Sequence, residues 1–61
     1  MVTISFETDN AAFHYEDDGS LDLNEISRTL KAVADRIAFG IEEGKISDYN
    51  GNVVGVFKVE E

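Results

Sequence analysis

Few residues in this 61-residue chain are equipped for chemistry. One imidazole, His14, and a scatter of serines and threonines are the candidates for base or nucleophile, and there is no cysteine. Catalysis needs such a group tuned by a neighbour and held in a water-shielded cleft. His14 lies instead among Phe13, Tyr15 and Glu16, in a stretch without periodicity, where packing or pairing with a carboxylate is the expected role. A chain this short buries only about 60% of the surface its unfolded form exposes, which leaves little volume for a pocket. The expectation is a protein that is not an enzyme and carries no cofactor.

Carboxylates are the abundant functional group. Thirteen acids against five bases give a net charge of −8. That balance opposes adhesion to nucleic acid or anionic lipid, so any partner that responds to charge should be basic. Asp17-Asp18-Gly19-Ser20 has the look of a calcium loop. Counting from Glu16 or from Asp18, however, the sixth position is not glycine and the twelfth is not glutamate, so no metal site is expected. Thiolate ligands and disulfides are absent with cysteine.

The elements that must position these groups are legible in the hydrophobic pattern. Val2, Ile4 and Phe6 alternate with Thr3, Ser5 and Glu7, which predicts a half-buried strand over 2–7. Residues 8–21 lose periodicity and carry turn-forming Asp, Asn and Gly, with Ala11, Ala12, Phe13 and Tyr15 expected to tuck the loop onto the core. Asp22 fits a helix N-cap, and Glu25 three residues on is placed to complete a capping box. Ile26, Leu30, Val33, Ile37 and Ile41 then recur at helical spacing and predict a helix over 22–43 that buries this stripe and stops at Gly44. Gly40, near the stripe, would permit close approach of a strand.

Asn50-Gly51 between alternating apolar runs predicts a hairpin with a two-residue turn and strands at 45–49 and 52–59. That register puts Ile46, Val53, Phe57 and Val59 on the face beneath the helix, where Gly55 leaves room for the helix to approach. Tyr49, Val54 and Val56 fall on the other face. The last strand is apolar on both faces and so belongs in the centre. The reading is one α+β domain over 1–61, β-α-β-β, with a three-stranded antiparallel sheet in the order 1-3-2 and one helix on one face.

This topology sends Glu7, Asp9, Glu16, Asp17, Asp18, Asp22, Glu25 and Asp48 to one end of the molecule. Acids at a helix N-terminus are stabilised by its dipole, which accounts for Asp22 and Glu25 without any partner. Glu7, Asp9 and Asp48 arrive from strand ends and lack that reason. Closely set carboxylates can imitate the phosphates of duplex DNA, spaced about 1.7 Å of axis per charge. Phe39, on the helix side away from the stripe, and Tyr49, Val54 and Val56 on the uncovered sheet face are the candidate apolar interface.

The segments Thr8-Asp9-Asn10-Ala11-Ala12-Phe13 and Asp48-Tyr49-Asn50-Gly51-Asn52-Val53-Val54-Gly55 resemble small acidic proteins of phages and prophages that share the strand, helix and terminal hairpin. The resemblance covers most of the chain and carries no catalytic motif. It implies a mobile-element setting and a cytoplasmic inhibitor of host defence, of the anti-CRISPR type, whose acidic pole occupies a basic DNA-binding surface. The alternative expectation is a structural or interaction module, homodimeric through the open sheet face, whose acidity serves solubility or salt adaptation. No apolar run has the length to span a bilayer, so no membrane partner is expected.

Overall fold

The computed structural model describes residues 1–61. Three strands, β1 (Val2–Phe6), β2 (Glu43–Ser47) and β3 (Val53–Val59), and one helix, α1 (Leu23–Ala38), follow in the order β1-α1-β2-β3, with a short 3-10 turn at Ala11–Phe13 between β1 and α1. The sheet is antiparallel in the order β1-β3-β2, as the two-sided apolarity of β3 predicts. Ile4 lies opposite Phe57 on β3, and Phe57 opposite Gly44 on β2. Val33, Ile46 and Phe57 form the centre of the core, with Phe6, Ile37 and Val54 packed around it.

The helix starts where the cap predicts. The Asp22 carboxylate accepts from the Asn24 and Glu25 N–H groups. The reciprocal half of a capping box is not formed, because Asp22 N–H donates to the Phe13 carbonyl and the Glu25 carboxylate turns to Arg28. The other end differs from the sequence reading by one turn and more. Gly40 takes φ 102°, its N–H bonds the Ile37 carbonyl, and the Ile41 N–H bonds the Arg36 carbonyl. This is a Schellman stop. It leaves Ile41, Glu42 and Glu43 outside the helix, and it exchanges the expected roles of two glycines. Gly44 sits in β2, where a Cβ would come within 2.5 Å of the Arg36 guanidinium and 3.1 Å of the Phe57 ring.

The hairpin differs too. Asn50 has negative φ and only Gly51, at φ 86°, is left-handed, so the two-residue turn is replaced by a three-residue loop, Tyr49–Gly51, with glycine at the left-handed position. The loop closes through Gly51 N–H to the Asp48 carbonyl at 3.0 Å and Asp48 N–H to the Asn52 carbonyl at 2.9 Å. Ile46 pairs with Gly55 and Ser47 with Val53, which makes Val54 the extra residue of a bulge. The bulge reverses the predicted facing of two side chains. Val53 is exposed, and Val54 packs against the core. Gly55 is required by β1 and not by the helix, since a Cβ there would collide with the Ser5 carbonyl and lie 2.5 Å from Phe6 Cα.

Candidate functional site

The four chain segments predicted to meet at one end do meet there. Asn10, in the loop after β1, donates its side-chain amide to the Asp48 carboxylate in the β2–β3 loop at 2.8 Å. The Phe13 ring, fully buried, stacks on Phe6 with centroids 5.9 Å apart and ties the loop to the end of β1. Asp22 N–H to the Phe13 carbonyl at 2.7 Å joins the same loop to the helix N-terminus. Ala12 and Phe13 therefore anchor the loop as expected, whereas Ala11 and Tyr15 stay exposed.

His14 meets two backbone carbonyls and no carboxylate. Its Nε2 lies 2.8 Å from the Thr8 oxygen and its Nδ1 3.1 Å from the Gly19 oxygen. A neutral imidazole carries one N–H, so one of these contacts is a hydrogen bond, and the ring sits between the two ends of the loop. That role explains the histidine without a chemical step.

The eight acids divide into two groups. Glu25, Asp48 and Asp22 serve the fold. Glu25 is buried and accepts both Nε and Nη2 of Arg28, at 2.7 and 2.9 Å, in the only salt bridge of the molecule. Asp48 is 4% exposed and accepts from the Asn50 and Asn52 N–H groups and from the amides of Asn10 and Asn52. Burial pushes the Asp48 carboxyl up, but these donors, led by the Asn52 N–H, outweigh it and hold the group below the ordinary aspartate range. An aspartate two residues ahead of an Asn-Gly pair is the sequence signal for such an inward-turned carboxylate.

Glu7, Asp9, Glu16, Asp17 and Asp18 are exposed. None of them has a cationic partner. Asp18 accepts from the Ser20 N–H at 2.9 Å and hydroxyl at 2.7 Å, which hold its carboxyl low and keep it charged. Tyr15 senses chiefly the capping acid, Asp22. Its phenol is held above the ordinary tyrosine value first by the negative charge on Asp22, with Asp18 and Asp17 acting in the same direction. Asn10 is the residue of this end to which the sequence reading gave no role, and Tyr15, expected to pack on the core, lies instead beside the acids. No three His, Asp or Glu side chains are grouped as metal ligands.

The four apolar candidates do not share one surface. Phe39 is the helix C-cap and is 88% exposed, Tyr49 lies in the β2–β3 loop, and Val56 is on the outer sheet face. Val54 turns inward at the bulge. No helix is long and apolar enough to cross a membrane. No protein-family model, no curated protein and no solved structure matches the chain.

Proposed function

We propose that this chain is a non-catalytic binding protein whose acidic end occupies a basic, nucleic-acid-binding surface of a host defence complex. The observation that carries the reading is the division of its acids. Glu25, Asp48 and Asp22 are absorbed by the fold, while Glu7, Asp9, Glu16, Asp17 and Asp18 project from the same end with no cation beside them. Like charges without a cation repel one another, and apart from the local turn bonds of Asp17 and Asp18 they hold no other segment, so their gathering supports a role outside the chain. A surface of this kind steers a basic partner toward it and competes with phosphates for the same groove. The phage setting is what the resemblance of the two turn segments implies. The test is capture of a nucleic-acid-binding protein from host lysate on the immobilised chain. Retention should fall steeply as salt rises, and added duplex DNA should release the captured protein. Capture indifferent to both would remove the proposal.

A further inference from the structure

The helix is rotated relative to its own hydrophobic stripe. At 100° per residue, the buried positions Glu25, Thr29 and Val33 centre about 70° away from the stripe of Ile26, Leu30, Val33 and Ile37. One flank is occupied, because Arg36 donates to the Lys45 carbonyl of β2 at 2.6 Å and its guanidinium covers the Phe57 ring at 4.8 Å. The opposite flank, with Leu30 and Leu23, therefore lies on the β1 side. There the inner face of β1 is open as well: Val2 is 57%, Ile4 40%, Leu30 43% and Leu23 69% exposed. Ile4 shares its face with buried Phe57, its cross-strand partner, so this groove is the unfinished side of the core.

The molecule exposes more surface than a compact chain of its mass. A monomer of this mass exposes about 3,900 Å², and this chain exposes 4435 Å². Its radius of gyration is 12.3 Å, against about 10.5 Å for a compact chain of 61 residues. The chain is elongated, 42 × 19 × 15 Å, and two copies joined along their long sides would have to bury about 1,000 Å² in all to form a specific interface.

The sheet edges differ in the same sense. On β2, Glu43 and Lys45 are charged and Arg36 engages the Lys45 carbonyl, which blunts that edge. On β1, Val2–Phe6 has no charge, no proline and no bulge. Glu60 N–H bonds the Met1 carbonyl and Glu7 N–H the Val54 carbonyl, so alternation along the ladder directs the N–H and C=O groups of Val2, Ile4 and Phe6 away from β3. These three residues are self-complementary about Ile4.

We propose that a second copy of this chain pairs its β1 antiparallel with β1 about a two-fold axis at Ile4. The sheet then continues to six strands, and the two helices close over the joined Val2 and Ile4 side chains with their Leu30 flanks. Val2 faces Phe6 of the other copy, and the interface is isologous. The uncharged flank keeps the two −8 chains' acidic ends out of the contact. Association therefore tightens with salt, opposite to the capture of a basic partner.

Sedimentation equilibrium of the full chain over a wide concentration range, in low and high salt, tests this. Wild type should reach twice the 6.7 kDa of one chain, with a smaller dissociation constant in high salt. Leu30→Lys, at a half-exposed position, should keep its helical circular dichroism and raise the dissociation constant at least about tenfold by placing like charges in the seam. Ile4→Pro removes an N–H that β3 does not use and should also give monomers. Val56→Lys, on the outer face, should leave the dimer intact. A wild type of single-chain mass at every concentration overturns the proposal. So does a dimer that Val56→Lys breaks and Leu30→Lys does not.

Discussion

The Asn10 amide reaches across 38 positions of sequence to the Asp48 carboxylate, and this bond joins the loop after β1 to the loop between β2 and β3. Both oxygens of Asp48 are engaged, one by the Asn50 and Asn52 N–H groups and the other by the two amides. An acid in a polar loop thus acts as an internal clamp. The exposed acids around it can remain unpaired because the segments that bear them are held by this group and by Phe13.

Asp48 should therefore give the protein an acid-sensitive step. Its folded-state carboxyl titrates below the ordinary range, so the stability it supplies is present above the unfolded value of about 3.9 and is lost as pH falls through the lower, folded one. Asp48→Asn should lower the urea midpoint near neutral pH more than Asp17→Asn does. The gap between wild type and Asp48→Asn should narrow as pH drops below about 4. A gap independent of pH would show that the charge of Asp48 is not what the donors hold.

Glycine substitutions separate left-handed backbone from crowding. Gly40→Ala and Gly51→Ala meet open space but force positive φ, and each should cost about 1 kcal/mol. Gly44→Ala displaces only the mobile end of Arg36 and crowds Phe57. Gly55→Ala drives a methyl into the Ser5 carbonyl and should be the most damaging of the four, at about 3 kcal/mol or more. Chemical denaturation ranks them. Gly55→Ala with a midpoint like that of Gly51→Ala would contradict the close seam between β1 and β3.

The bulge at Val54 makes a paired prediction. Val54→Ala should cost about 1 kcal/mol or more and Val53→Ala under about 0.5 kcal/mol, the reverse of what uninterrupted alternation gives. Phe57→Ala, at the centre of the core, should cost about 3–5 kcal/mol. A domain of this length holds about 3–9 kcal/mol in all, so that variant should lose at least about a third of its stability. Thermal melts of the three variants check the order.

What was legible in the sequence followed from patterns that one element imposes on itself. Alternation marked the strands, Asp22 marked the cap, and the two-sided apolarity of β3 put it in the centre. What was not legible depended on pairs. The apolar stripe runs through Ile41 without a break, so nothing local distinguished Gly40 from Gly44 as the stop. Glu25 reads as a surface acid until Arg28 neutralises it and the helix rolls both Glu25 and Thr29 inward. Asp48 reads as a turn residue, and its inward carboxylate depends on Asn10, a residue 38 positions away. The meeting of the four segments was legible from strand direction alone; which of their acids serve the fold was not.

The acidic end is tested most directly by charge reversal at exposed positions outside the helix and sheet. Glu16, Asp17 and Asp18 are exposed, and their only bonds are local ones, Asp17 to the Asp18 N–H and Asp18 to Ser20. Glu16→Lys, Asp17→Lys and Asp18→Lys combined should leave the helical circular dichroism in place. The measurement is competition between the chain and fluorescent duplex DNA for the nucleic-acid-binding protein captured on the wild type. The wild type should displace the DNA, less effectively as salt rises, and the triple variant should not displace it at all. Displacement by the folded triple variant equal to that by the wild type would contradict the account.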